Sequence, residues 1–161
     1  MKIKTCRLPR TKVQQKVFHQ ILQSNTLGSN NNAIGTLALS STTTGYGNTA
    51  IGSSALELNT TGAWNIAMGA GTLQLNTVGF GNIGLGNGNL HENTKGNGNL
   101  AVGDRALRFN TTGNVNSAFG QNALFNNTTG SNNTSIGNSS GYQLLNGSGN
   151  IFLGSNARSE E

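Results

Sequence analysis

Glycine stands at residues 35, 52, 69, 86, 103, 120, 137 and 154, one every 17 residues, and a second glycine column runs from 28 to 147 with the same step. Asparagine keeps that period at 31, 48, 65, 82, 99, 116, 133 and 150. No insertion or deletion breaks these columns, and sixteen of the 24 glycines fall in two of them. A disordered linker needs no fixed register, so the repeat argues for order and decides the architecture before local propensity is weighed. A unit of 17 residues is too short for a helical-hairpin repeat, which needs ~33 or more. It suits one rung of an all-β, parallel β-solenoid. Rungs stack at the ~4.8 Å spacing of neighbouring strands, so eight of them make a body roughly 40 Å long.

Each unit reads N-x-A-(apolar)-G-x-x-A-L-x-x-N-x-T-G-x-x. In Asn48-Thr49-Ala50-Ile51-Gly52, alternate side chains of a strand face opposite ways. One face carries Thr49 and Ile51, and in later units Ile66 and Met68 or Ile83 and Leu85. Being apolar or β-branched, it is expected to fill the rung's own interior. The other face carries the Asn column, a column that is nearly always Ala, and Gly. It is flat and uncharged, and burial against copies of the same chain explains that best. Ala50, Gly52, Ala67, Gly69, Ala101, Gly103, Ala118 and Gly120 are therefore expected to pack a homotrimer. Stacked Asn side chains form ladders, as in cross-β structures. The N-x-T-G element is a turn, where Asn bonds its own backbone and Gly permits positive φ. The Ala-Leu pair between them fits either a strand or a single helical or 3₁₀ turn.

Only 9% of residues are charged, against a usual ~25%, and they are unevenly placed. Lys2, Lys4, Arg7, Arg10, Lys12 and Lys16 put six positive charges and no acid in the first 16 residues, whereas the remainder is close to neutral. From Thr11 to Leu22 the residues Val13, Val17 and Ile21, with Phe18 and Leu22 beside them, mark one apolar helical face. The expected organisation is a basic arm with a short amphipathic helix over residues 1–27, a solenoid over 28–157 and a tail over 158–161. The apolar stripe favours docking on a protein over binding phosphate, which needs no such stripe. Val13, Val17, Phe18 and Ile21 are the expected docking residues. The run "VFHQIL" is too short and too polar for a signal-peptide core.

The Asn-Thr-Ala-Ile-Gly strand, followed by Ala-Leu-x-x-Asn-Thr-Thr-Gly and recurring eight times, resembles the head repeats of YadA-like trimeric autotransporter adhesins. It also resembles 17-residue repeats of phage and large-virus fibre proteins, and "GNIFLGSNA" resembles the last rung of such arrays. The resemblance covers about residues 28 to 157. It implies a left-handed β-roll that trimerises and acts as a stalk or binding head. No signal peptide, anchor barrel or self-cleaving chaperone domain can be read in these residues. The expectation is therefore a short, non-enzymatic fibre or spike on a virus or phage particle, attached through its arm to a capsid or tail protein. The alternative is a host-surface or glycan-binding adhesin head on a bacterial surface.

Other chemistries find little support. Gly79-Phe80-Gly81-Asn82-Ile83-Gly84 matches G-x-G-x-x-G, but its first glycine belongs to the repeat and no long helix follows, as a dinucleotide loop requires. Calcium-binding repeats need an Asp in every unit, and Asp104 is the only one. One Cys and two His cannot build a zinc site, and no His or acid stands at a nucleophile–base spacing. No cofactor, metal or catalytic residue is expected. Charged and aromatic side chains in variable columns should face outward, so Trp64, Phe80, Arg105 and Arg108 are the candidates for surface recognition. At the ends, Thr42 replaces the turn Asn of the first unit, Gly141 replaces the Leu of the seventh, and the eighth stops at Ala157. Solenoid tips must be blocked, so the arm is expected to cover the first rung and the C-terminal end to be distal.

Overall fold

The computed structural model describes residues 20–158. Eight three-residue strands, β1 (Asn32–Ile34), β2 (Thr49–Ile51), β3 (Ile66–Met68), β4 (Ile83–Leu85), β5 (Leu100–Val102), β6 (Ser117–Phe119), β7 (Thr134–Ile136) and β8 (Ile151–Leu153), form one sheet in sequence order. Every pair is parallel and offset by one repeat, so that Thr49 faces Ile66, Ala50 faces Ala67 and Ile51 faces Met68. The chain is an all-β parallel β-solenoid of about seven turns, and the strand stack is about 34 Å long at ~4.8 Å per step.

Backbone pairing continues outside the strands. Leu56 N–H donates to the Thr72 carbonyl at 3.1 Å, Thr60 N–H to the Thr77 carbonyl at 3.0 Å, and Trp64 N–H back to the Tyr46 carbonyl at 3.0 Å. Each rung thus hands its polar backbone to its neighbours on several walls, which is how a fold with so little strand satisfies buried amides.

The interior inverts the expected faces. Ala50, Ala67, Ala101 and Ala118 are fully buried within the single chain, together with Leu56, Leu73, Leu90 and Leu107 from the opposite wall. The apolar column of the strands faces outward: Ile51, Met68, Leu85, Phe119 and Ile136 are all exposed. The physical reason is width. Each turn already brings one Leu inward from the far wall, and a strand facing it has room for a methyl group only. Ala50, Ala67, Ala101 and Ala118 are therefore core residues, unavailable to a second copy. Gly52, Gly69, Gly103 and Gly120 serve the corner after the strand, at φ between +110° and +138°. A Cβ on Gly52 would lie 2.6 Å from the Gly69 backbone, so the column is dictated by close stacking within the chain.

The Ala-Leu segment is neither strand nor helix. Ser54 and Leu56 adopt left-handed φ of 57° and 52°, and these two reversals let adjacent Ala55 and Leu56 both point inward, each 0% exposed. A left-handed L-residue costs roughly 1–2 kcal/mol, which burial of a Leu side chain, worth about 1.5–3 kcal/mol, offsets.

Two asparagine ladders run through the stack. Asn65 Nδ2 donates to Asn48 Oδ1 at 3.1 Å and to the Gly79 carbonyl at 2.8 Å, and the backbone N–H of Asn65 reaches the same Asn48 oxygen at 3.0 Å. In the turn, Asn76 Nδ2 donates to Asn59 Oδ1 at 2.8 Å and Asn93 Nδ2 to Asn76 Oδ1 at 2.8 Å. Glycine ends that turn because a Cβ on Gly62 would meet the Gly79 carbonyl at 2.5 Å and Asn59 Oδ1 as well.

At the N-terminal end the solenoid begins earlier than residue 28. Gln20 to Ser24 form a bend and a turn, so the helix expected over residues 11–22 does not extend through its last three residues; the rest of it lies outside the described residues. Leu22 N–H donates to the Ala38 carbonyl at 3.4 Å, Ser24 N–H to that of Ser40 at 3.1 Å, and Asn25 Nδ2 caps the Gly28 carbonyl at 3.0 Å. Asn25-Thr26-Leu27-Gly28 is itself a copy of the N-x-x-G turn, and this partial rung covers one wall of the first. At the other end Phe152 replaces the strand Ala and is 5% exposed. Gly141 replaces Leu to make room: a Cβ there would lie 2.9 Å from the Phe152 ring and 2.8 Å from Leu124.

Ala67→Leu is expected to lower stability by about 1–3 kcal/mol through overpacking, whereas Met68→Leu, one residue along on the outer face, should leave it within ~0.5 kcal/mol. Chemical denaturation of both variants checks the inverted faces, and equal tolerance at the two positions would contradict them.

Candidate functional site: the outer surface of the solenoid

The uniform interior leaves function to the outer walls, and three features stand there. The first is the outer strand face. Its two columns, Thr49-Ile66-Ile83-Leu100 and Ile51-Met68-Leu85-Val102 with their continuations, contain no charged residue from β1 to β8. The second column is apolar from Ile34 to Leu153, the first mixes Ile66, Ile83, Leu100 and Ile151 with Asn32, Thr49, Ser117 and Thr134, and both stay in register along the stack.

The second feature lies at the corner preceding the strand. Trp64 is 59% exposed at a left-handed φ of 55°. Its ring meets Tyr46 of the preceding rung edge-on, with centroids 4.8 Å apart at 78°, and its Cδ1 would lie 2.9 Å from a Cβ on Gly47. Phe80, also exposed, stands two rungs beyond Tyr46 in the same column, with small Ala63 between them. Tyr46 was not among the residues expected from sequence. Its 17-residue offset from Ala63, the neighbour of Trp64, is the signal that would have found it.

The third feature is a groove of about 550 Å³ at the corner following the strand. Its floor is Gly71 and Gly88, at left-handed φ of 64° and 63°, positions where the flanking rungs carry Ser54 and Arg105. One wall is Ser53, Ala70, Asn87 and Asp104; the other is Gln74, His91 and Arg108. Neighbouring rungs tie the first wall together, with Asn87 Oδ1 accepting from Ala70 N–H at 3.1 Å and Asp104 Oδ1 from Asn87 N–H at 3.0 Å. In the second, Gln74 Nε2 donates to Glu57 Oε2 at 2.8 Å, His91 Nε2 lies 2.8 Å from Gln74 Oε1, and His91 Nδ1 lies 2.9 Å from Glu92 Oε1. Arg108 lies across the floor, its Nη1 2.8 Å from where a Gly88 Cβ would be. Beyond it the same column turns aromatic, with Phe125 and Tyr142 stacked at 5.0 Å.

The four surface-recognition candidates thus separate into two sites. Arg105 and Arg108 share the groove, whereas Trp64 and Phe80 belong to the corner at the other end of the strand. Of the expected docking residues, Ile21 is half-buried in the entry turn, and Val13, Val17 and Phe18 lie outside the described residues. Among the described residues no three His, Cys, Asp or Glu side chains are grouped as a metal site, and no helix is long and apolar enough to cross a membrane. No protein-family model, curated protein or solved structure matches the chain.

Trp64→Gly is expected to change stability by less than ~1 kcal/mol. Relief of left-handed strain of roughly 1–2 kcal/mol offsets loss of an aromatic pair worth ~0.5–1.5 kcal/mol. A large destabilisation in a thermal melt would make Trp64 a folding residue instead of a surface one.

Proposed function

We propose that the chain is a non-enzymatic structural fibre or spike of a virus or phage particle. Its solenoid projects as a homotrimer, and its basic N-terminal segment docks on a capsid or tail protein. The observation that carries this reading is the uncharged outer strand face, whose Ile34-to-Leu153 column is apolar over the length of the stack. Contiguous exposed apolar surface of that kind marks an interaction site. A second copy of the chain offers the same two columns at the same 17-residue period, so rungs of neighbouring copies can meet in register. Three-fold closure and left-handed winding follow the resemblance to adhesin heads and viral fibres. The trimer contact so proposed uses Ile51, Met68, Leu85 and Phe119 in place of the Ala column.

An adhesin head that binds a host surface is the second reading. The exposed Tyr46–Trp64 pair favours it, since aromatic side chains that serve no core are enriched at recognition sites. On that reading Trp64→Gly keeps assembly and loses attachment; unchanged attachment overturns it.

Sedimentation is expected to give a trimer at micromolar concentration, and Ile51→Lys combined with Leu85→Lys and Phe119→Lys a folded monomer. A wild-type monomer defeats the assembly. Removing residues 1–19 should leave a folded solenoid that no longer joins its particle, and incorporation as before would move attachment into the repeats.

A further inference from the structure

The groove at the corner after the strand interrupts the repeat in a way that folding does not require. The other rungs place Ser54, Arg105, Asn122 or Ser139 at this left-handed position and tolerate it. Only Gly71 and Gly88, in adjacent rungs, carry no side chain there; Arg108 fills the space over Gly88, and Arg105 lines the same opening. Neither guanidinium lies within 4.0 Å of a carboxylate among the described residues. Arg108 has only the Phe109 ring, 5.7 Å from its centre, as a charge-stabilising neighbour.

We infer that this groove binds an acidic saccharide, a sugar ring whose carboxylate is taken by Arg105 and Arg108. A guanidinium presents planar paired donors that match a carboxylate in a bidentate fashion, and two of them face one opening. The remaining lining supplies donors and acceptors suited to ring hydroxyls: Ser53, Ser54, Asn87 and Asp104 on one side, and the edges of Gln74 and His91 on the other. Over Gly88 the floor is the Arg108 guanidinium itself, so a sugar carboxylate entering there meets that group. At about 550 Å³ the groove falls within the roughly 300–1,000 Å³ of small-molecule clefts. A peptide is a poor occupant because Ala70 is the lone apolar side chain in the lining. Single-stranded nucleic acid would need stacking aromatics beside the arginines, and Phe125 and Tyr142, which follow Arg108 in its column, stack on each other outside the lining. The inference names a ligand for the surface-binding reading, at a site distinct from the Trp64 corner, and does not depend on trimer assembly.

The test is calorimetric titration of the full chain with trigalacturonate, alongside neutral galactotriose and inorganic phosphate. Variants are Arg108→Ala and Gly88→Ser, with Lys95→Ala as an exposed cation elsewhere. Serine adopts this backbone conformation at Ser54 and Ser139, so Gly88→Ser keeps the rung folded while its Cβ, 2.8 Å from Arg108 Nη1, displaces that guanidinium from the floor. Trigalacturonate is expected to bind. Arg108→Ala and Gly88→Ser should each weaken it roughly tenfold or more, as loss of a charge-assisted pair does, while Lys95→Ala leaves it unchanged and galactotriose fails to bind. Absence of trigalacturonate binding overturns the inference. So does equal binding by all variants, which would place the ligand on the basic N-terminal segment. Phosphate binding as tight as the saccharide would reduce the groove to a plain anion site and overturn it too. None of these failures touches the attachment result for Trp64→Gly.

Discussion

An asparagine amide offers one acceptor and one donor pair, and in a stack of identical rungs each donates to the rung before it and accepts from the rung after. That interaction governs this solenoid. Asn48, Asn65, Asn82, Asn99, Asn116 and Asn133 are buried almost completely, a placement that would be costly for any of them alone. Each is satisfied because its neighbour 17 positions away is the same residue making the same hydrogen bond, as Asn82 does to Asn65 at 3.1 Å. The ladder tolerates no slip, since a single inserted residue would leave amides unpaired on both sides. The turn ladder shows the consequence of an interruption: Leu144 replaces Asn after Asn127, and Asn127 Oδ1 is left without a partner.

A core laced with amides is narrow, and narrowness explains the vocabulary of the chain. One Leu per turn enters from one wall and one Ala from the other, so any enlargement must be matched by a reduction opposite. Thr72 replaces the wall Ala where Gly84 replaces the strand Ala, and a Cβ on Gly84 would lie 2.5 Å from Thr72 Cγ2. The Phe152–Gly141 exchange makes the same trade at the C-terminal tip. Because no rung can bury much by itself, stability resides in the interfaces between rungs, and the left-handed Leu column is held by stacking rather than by local preference.

The inside is therefore nearly invariant along the stack, and whatever distinguishes one rung from another is written outside. Here the outer surface divides into an uncharged strand face, with one apolar column that runs from end to end, and local features confined to a few rungs. The first suits association with something of the same period. The second, the Tyr46–Trp64 corner and the Gly71–Gly88 groove, suits ligands of limited length. The self-association and the recognition proposed above would use different walls and so do not exclude each other.

The sequence by itself determined the period, the parallel solenoid, the asparagine ladders, the turn and the outward Trp64, Phe80, Arg105 and Arg108, because equal spacing puts like residues on like residues in any stacked fold. It also contained Asn25-Thr26-Leu27-Gly28 and Leu22 in phase, a partial rung that the charge contrast of the first 16 residues obscured. Only the tertiary structure decided which strand face is inside. Alternation specifies two faces without saying which one closes on the core, and the usual rule, apolar inward, fails when the far wall already supplies the Leu. Left-handed backbone at Ser54 and Leu56 lies beyond any alternation pattern, so the inward pairing of Ala55 with Leu56 was not legible either. The groove needed coordinates for the same reason: glycines at 71 and 88 become one floor only when adjacent rungs place them side by side, with Arg108 folded over Gly88.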